Sequence, residues 1–221
     1  MAVKVQTIRA TEGGPQLVVL PSQTPVNGFG PPLFNGGLFY AQYGASAAVA
    51  NSTAEATLLS NTSSTAVTFY TQNSGATYLA STLALNAGLL GIGTILYGRV
   101  VTSASTTGTP NLTIKVNLNN ATTGTSTYTL ATTAATATGS GLSSANVSVD
   151  FECVVVSTGT SGSMISTIKE IETATIKANP AANLVTVDTT QPYTLDVTAT
   201  WSAASASNTI TTQYAWIGIR G

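Results

Sequence analysis

Hydrophobic side chains recur at every second position in three segments of the chain. In residues 112–118 every even position is Leu, Ile or Val, and in residues 147–155 every odd position is Val, Phe or Cys. Residues 193–201 repeat the pattern with Tyr, Leu, Val, Ala and Trp at the odd positions. A period of two places these side chains on one face of an extended strand. Each segment is therefore predicted to be a half-buried β-strand.

Weaker alternation, bounded by Gly, Ser, Thr and Asn, predicts five further strands in residues 67–71, 94–102, 125–133, 165–176 and 209–219. About eight short strands joined by polar turns are typical of an antiparallel sandwich. The predicted fold is all-β, a jelly-roll-like two-sheet sandwich. A short helix competes only in residues 41–50 and 79–90, where Ala and Leu are frequent.

The first 50 residues have a different texture, with most of the prolines and many glycines. Short strands are predicted at residues 3–8 and 17–20, but the prolines that follow prevent a continuous ladder. We therefore divide the chain into an extended Gly/Pro-rich N-terminal arm, residues 1–50, and a β-sandwich domain, residues 51–221. The arm carries five aromatic side chains that need a surface to cover them, Phe29, Phe34, Phe39, Tyr40 and Tyr43. They either pack onto their own domain or act as assembly contacts on a neighbouring subunit.

Charge is scarce: 7% of the 221 residues are charged, and the formal net charge is −1. Seven basic residues do not supply the clustered phosphate contacts of a nucleic-acid-binding protein, so no direct nucleic-acid partner is expected. Residues 1–10 lack the apolar core of a signal peptide. The longest apolar stretch, residues 87–101, is interrupted by glycines and Arg99, so no membrane partner is expected either.

The chemistry of the chain argues against an enzyme. It has no histidine, and its single cysteine, Cys153, lies in an apolar strand and is interpreted as a small buried side chain. Two acidic pairs, Asp150 with Glu152 and Glu170 with Glu172, have the spacing of one strand face. Neither pair has a third oxygen ligand nearby in sequence, so both are interpreted as solvated faces balanced by Lys115, Lys169 or Lys177. No catalytic residue, cofactor site or metal site is predicted.

Two remaining motifs have ordinary explanations. Residues 88–93 are rich in glycine but lack the Lys-Ser/Thr ending of a phosphate-binding loop, so a turn entering a strand is expected. Trp201, Tyr214 and Trp216 lie on predicted strands and form either part of the core or a platform for stacking sugars.

Four segments resemble a β-rich module of virion structural proteins in tailed bacteriophages. They are residues 51–59, residues 105–116 with the motif Thr-Gly-Thr-Pro-x-Leu, and residues 195–201 followed by residues 206–211. The likeness spans residues 51–219 and brings no catalytic motif. It implies a jelly-roll-like module on a phage particle, often a homotrimer.

The resemblance and the composition together lead to a functional hypothesis. We expect a non-enzymatic capsid decoration or cement protein that is assembled in the host cytoplasm and stabilises the head shell of a virion. Its partners are then copies of itself and the major capsid protein or other virion proteins. The alternative is a tail-fibre or receptor-binding module that recognises a bacterial surface glycan and exposes aromatic side chains near Trp201 or Trp216.

Overall fold

The computed structural model describes residues 37–59, 66–68, 84–85, 87–121, 126–173, 175–178 and 182–221. Every regular element in these ranges is a β-strand. The strands are β1 (Gly37–Gln42), β2 (Val49–Ala50), β3 (Ala56–Thr57), β4 (Ala66–Thr68), β5 (Ala84–Leu85), β6 (Ile95–Ser105), β7 (Asn111–Asn120), β8 (Ser126–Thr132), β9 (Thr136–Ala137), β10 (Ala145–Ser157), β11 (Gly162–Glu172), β12 (Thr175–Ala178), β13 (Asn183–Val187), β14 (Tyr193–Trp201) and β15 (Thr209–Arg220).

The described strands form two antiparallel sheets. The large sheet has the order β12-β11-β10-β6-β15-β1-β4, with β13 also paired to β11 and β2 also paired to β15. The small sheet has the order β3-β14-β7-β8, with β5 also paired to β14 and β9 also paired to β7. The predicted all-β fold is confirmed.

Two adjacent crossings between the sheets give the fold its jelly-roll character. β6 and β15 are neighbours in the large sheet, and β7 and β14, which follow and precede them in the chain, are neighbours in the small sheet. The crossings are tied together because the Thr107 N–H donates to Asn208 Oδ1 at 3.1 Å and the Asn111 N–H donates to Ser202 Oγ at 2.8 Å. A paired ribbon therefore folds over from one sheet onto the other.

The core lies between the inward faces of the two sheets. Alternate residues of β6, β7, β10 and β14 are buried there, in agreement with the period of two in the sequence. Trp201 is among the largest buried side chains, and its indole Nε1 donates to the Val49 carbonyl at 3.3 Å. The Trp201 side chain on β14 of the small sheet thereby contacts the backbone of β2 in the large sheet.

The predicted strands correspond closely to observed ones. The three well-defined segments are β7, β10 and β14, and the weaker ones coincide with β4, β6, β8, β15 and the pair β11 and β12. Residues 88–93 lie in turns that lead into β6, as predicted. Residues 41–50 contain no helix, because they complete β1 and form β2. Of residues 79–90, those that the structure describes are strand, turn or coil.

The sequence predicts that the β-sandwich domain starts at residue 51, but strands of the large sheet already occur before that residue. β1 pairs with the C-terminal half of β15, where Tyr40 faces Ile217 and Gln42 faces Ala215. β2 pairs with the start of β15. Residues 37–42 and 49–50 therefore belong to the large sheet rather than to an arm. The sequence missed this because Gly and Pro are dense just before β1. Residues 1–36, including the strands predicted at residues 3–8 and 17–20, lie outside the described residues.

Candidate functional site

The five aromatic residues expected to make assembly contacts have different positions. Phe29 and Phe34 lie outside the described residues, and Phe39 is the bulged residue of β1. Tyr43 follows β1 and is 59% exposed. The position of Tyr43 is compatible with a contact to another molecule.

The prediction that Tyr40 makes an assembly contact is wrong. Its side chain is fully buried in the core, and its hydroxyl donates to Gln42 Oε1 at 3.0 Å. The residue therefore packs onto its own domain and is not available to a neighbouring subunit. β1 places it there because this strand pairs with β15 in the large sheet.

The outer face of the large sheet is the surface with the most distinctive chemistry. Strand register aligns its side chains in rows across β11, β10, β6 and β15. One row contains Lys169, Asp150, Arg99 and Trp216, and a neighbouring row contains Thr167, Glu152, Tyr97 and Gly218. Aromatic and charged side chains thus lie next to one another at the centre of the face.

We call Tyr97, Arg99, Tyr214, Trp216 and Arg220 the aromatic–arginine cluster. The rings of Tyr97 and Trp216 meet edge to face with centroids 5.8 Å apart. The guanidinium carbon of Arg220 lies 5.1 Å from the centroid of the Tyr97 ring, which is a cation–π geometry. Tyr214 is 45% exposed at the border of the cluster. The cluster is therefore partly ordered by its own contacts and still open to a partner.

Gly218 is required for this arrangement. A Cβ at position 218 would collide with the ring of Tyr97 at Cζ, Cε1 and the hydroxyl oxygen. The absence of a side chain on β15 therefore lets the Tyr97 ring lie close against the backbone of the neighbouring strand.

Ion pairs fix the two arginines of the cluster. Arg99 Nε donates to Asp150 Oδ1 at 2.5 Å and its Nη2 donates to Asp150 Oδ2 at 2.8 Å, which is a bidentate pair. This hydrogen bonding, with the attraction of the carboxylate, raises the pKa of Arg99 above its usual value. Arg220 Nη2 lies 3.4 Å from Glu152 Oε2. The predicted solvated face for Asp150 and Glu152 is confirmed, although their partners are arginines rather than the lysines expected.

An apolar row runs beside the cluster on the same face. It consists of Leu184 on β13, Ile165 on β11, Val154 on β10 and Ile95 on β6, which stand opposite one another in register. Leu184 is 65% exposed, and Ile165 is also exposed. The row ends at β13, which pairs only with β11 among the described strands.

Most of this surface is not apparent from the sequence. The sequence groups Trp216 and Tyr214 with Trp201 as a possible platform, but Trp201 is in the core. Tyr97 and Arg99 were missed because residues 94–102 carry apolar side chains at both parities, so the outward face was not distinguishable. Leu184 lies in the short segment of residues 183–187, which has no clear alternation.

The prediction of a solvated face is wrong for the acidic pair Glu170 and Glu172. The two residues share one face of β11, as the spacing required, but they are 1% and 5% exposed. Glu172 Oε1 lies 3.3 Å from Lys177 Nζ, so the lysine expected among its partners is present. The face is buried because the even positions of β11 also include Met164 and Ile168, which belong to the core.

The outer face of the small sheet carries a separate polar network around Glu55. Its Oε2 accepts from Lys115 Nζ at 2.6 Å, and its Oε1 accepts from Asn117 Nδ2 and from Thr198 Oγ1, each at 2.7 Å. Although burial opposes it, the hydrogen bonds from Lys115, Thr198 and Asn117 lower the pKa of Glu55. Nearby, burial raises the pKa of Asp196 to about 6, even though Thr57 Oγ1 donates to its Oδ1 at 2.5 Å.

Other reactive groups are few. Cys153 is buried as predicted, and burial raises the pKa of its thiol to about 12. Within the described ranges, no three Cys, Asp or Glu side chains lie together in a way that could hold a metal ion. In the same part of the chain no helix has the length and hydropathy to cross a membrane.

Comparisons with family models, curated proteins and solved structures gave no significant match. The function of the protein therefore has to be inferred from its own residues.

Proposed function

We propose that this protein is a non-enzymatic structural protein of a virion, a decoration or cement protein on the head shell of a tailed bacteriophage. The observation that carries the proposal is the outer face of the large sheet, where the aromatic–arginine cluster and the apolar row lie side by side. The likeness of residues 51–219 to phage virion proteins supplies the biological setting.

The composition of this face suits a protein partner. Trp, Tyr and Arg are enriched at the energetically dominant positions of protein interfaces, and lysine and acidic residues are depleted there. The cluster combines three aromatic rings with two arginines whose charges are already balanced by Asp150 and Glu152. Such a cluster can contact another protein without leaving either arginine unpaired at the interface.

The assembly that we propose is a homotrimer seated on the major capsid protein or another virion protein. A net charge of −1 gives little electrostatic repulsion between copies. The virion is the proposed location, with assembly in the host cytoplasm. Phe29, Phe34, Phe39 and Tyr43 remain predicted contacts within this assembly.

A second candidate function is glycan recognition at the same cluster. Tyr214 and Trp216 lie on the outer face next to the bidentate Arg99–Asp150 pair. Ring faces beside fixed hydrogen-bonding groups are what a sugar-binding site requires. In this version the protein is a receptor-binding module of the tail.

The double substitution of Leu184 and Trp216 by alanine tests the primary proposal. Both side chains lie on the outer face, so we expect the fold to persist while incorporation into particles falls roughly tenfold or more, as for interface hot spots. Incorporation is measured by quantitative mass spectrometry of purified particles. The control is the double substitution by alanine of Thr113 and Thr200, two threonines that face each other on the outer face of the small sheet.

Three results would separate the alternatives. Wild-type occupancy of particles by the Leu184→Ala, Trp216→Ala variant would contradict docking through this face. Binding to a glycan array that is lost in the same variant, without any effect on heads, would favour the receptor-binding function. Turnover of a glycan substrate by the purified protein would contradict the non-enzymatic assignment.

Truncation tests the arm separately. Deletion of residues 1–36 is expected to leave the sheets folded and to weaken incorporation into particles. Deletion of residues 1–45 is expected to unfold or strongly destabilise the domain, because it removes β1 and the buried Tyr40. Circular dichroism and thermal unfolding distinguish the two. Normal incorporation of the shorter deletion would show that the arm is not an anchor.

A further inference from the structure

Two buried carboxyl groups join the sheets at one end of the sandwich. Glu170 and Glu172 project from β11 of the large sheet toward residues that adjoin the small sheet. Glu172 accepts the backbone N–H of Gly139, at 3.1 Å to Oε1 and 3.3 Å to Oε2. Gly139 follows β9, which pairs with β7 of the small sheet. This contact is a polar connection between the two layers.

Glu170 makes the second half of the connection. Its interaction with the hydroxyl of Thr133 favours the charged form of the carboxyl. Thr133 follows β8, and its own N–H donates to the Ile114 carbonyl at 2.8 Å, which ties it to the small sheet. The other carboxyl oxygen, Oε2 of Glu170, is buried and has no hydrogen-bond partner among the described residues.

The charge balance around this pair is incomplete. Among the described residues, the charged groups that act on Glu170 are Glu172 on its own strand and Lys177 on β12. Lys177 is already engaged with Glu172. The register neighbours on β10, Val147 and Val149, are apolar, and the residues from the small-sheet side, Thr133 and Gly139, are uncharged. One lysine therefore balances one carboxylate, and a second negative charge has no partner.

We propose that Glu170 is a proton-dependent latch between the sheets. With a proton on Glu170, the group of Glu170, Glu172 and Lys177 is neutral overall and the junction is closed. Loss of that proton leaves a buried carboxylate with an unpartnered oxygen beside Glu172. The Thr133 hydroxyl favours the charged form, but the cost of burying an uncompensated charge is larger. The junction, including the Gly139 contact, therefore opens to admit water.

Burial acts in the direction that the latch requires. It raises the pKa of Glu170 to about 7, from an ordinary value of 4.5, and the neighbouring Glu172 adds to the effect. In the unfolded chain the carboxyl loses its proton near its ordinary value, whereas in the folded chain it keeps the proton up to near neutrality. Stability contributed by the protonated group is therefore complete below the unfolded value and is lost as the pH rises toward 7.

The test compares thermal unfolding of the wild type, Glu170→Gln and Glu152→Gln between pH 4.5 and pH 8.5. Glutamine imitates the neutral acid, so Glu170→Gln should match the wild type near pH 5 and melt roughly 5 to 10 °C higher at pH 8. Glu152→Gln changes an exposed carboxyl on the neighbouring strand and should follow the wild-type profile. If Glu170→Gln loses stability with pH as steeply as the wild type, the proposal is wrong.

Two measurements on the wild type keep the test independent of the variant. The carboxyl carbon of Glu170, followed by NMR, should titrate with a midpoint near neutrality, and a midpoint close to 4.5 would overturn the latch. Hydrogen exchange of the Gly139 amide, corrected for its intrinsic pH dependence, should speed up roughly tenfold or more between pH 6 and pH 8. Constant protection of this amide would show that the junction does not open.

Discussion

The two acidic pairs of the large sheet have the same spacing and opposite environments. Asp150 and Glu152 stand on the outer face of β10, where Arg99 and Arg220 meet them in contact with solvent. Glu170 and Glu172 stand on the inner face of β11, in the adjacent strand, and are almost completely buried. A spacing of two places both acids of a pair on one face, but it does not tell which face that is.

The difference depends on the parity of the surrounding apolar residues. In β10 every odd position from Val147 to Val155 is apolar, whereas Val154 is the one apolar residue at the even positions between them, so the even-numbered acid positions point outward. In β11 apolar side chains occur at both parities, with Met164 and Ile168 inside and Ile165 outside. Local sequence therefore orients β10, whereas β11 is oriented only by its pairing with β10.

Removing one acid from each pair should give the largest contrast. Glu172→Ala deprives the Gly139 N–H of its acceptor and Lys177 of its partner, which should lower the free energy of unfolding by about 2 to 3 kcal/mol. Glu152→Ala should cost less than about 1 kcal/mol, because exposed ion pairs contribute little. Urea unfolding measures both. Equal losses in the two variants would contradict the contrast between the faces.

Asp196 and Glu55 extend the comparison to the small sheet, with opposite signs. Burial raises the pKa of Asp196 to about 6 from 3.8, so its contribution to stability is lost as the pH rises from about 4 to about 6. The lowered pKa of Glu55 acts the other way, because its contribution is lost as the pH falls through that value. Asp196→Asn should therefore remove about 2 to 3 kcal/mol of pH-dependent destabilisation.

Unfolding free energies at pH 4, 5, 6 and 7 check this expectation. Asp196→Asn should flatten the decline above pH 4, whereas Glu55→Gln should remove stability at pH 6 and pH 7, with a loss that shrinks as the pH falls through the lowered pKa of Glu55. Two variants with parallel profiles would mean that the hydrogen bonds around Glu55 do not distinguish these acids.

The smallest expected effect concerns the outer pair itself. A double-mutant cycle with Arg99→Ala and Asp150→Ala should give a coupling energy of about 0.5 to 1 kcal/mol, which decreases in 1 M salt because both groups are exposed to solvent. Chemical unfolding at low and high salt measures it. A coupling energy above about 2 kcal/mol would mean that the Arg99–Asp150 pair behaves like a buried ion pair and would contradict this expectation.

Much of the fold was predictable because period-two alternation is a local signal. It located β7, β10 and β14 to within a few residues, because in each of these strands the inward positions are apolar without interruption. The start of the domain was not predictable, since β1 is stabilised by pairing with β15, far away in the chain. The aromatic–arginine cluster is equally non-local, because it depends on β10, β6 and β15 lying side by side in one register. Sequence spacing alone does not give that order.

The central position of β15 has a consequence for how the protein acquires its structure. This strand lies between β6 and β1 in the large sheet, although β6 leaves the ribosome more than a hundred residues earlier. Until β15 is synthesised, both neighbours lack their shared partner and present unpaired edges that are prone to aggregate. Pairing over such separations is slow, on the order of milliseconds to seconds for β-sandwiches. The nascent chain therefore passes through a vulnerable interval, and closure of the large sheet is a late event that follows translation of residue 220.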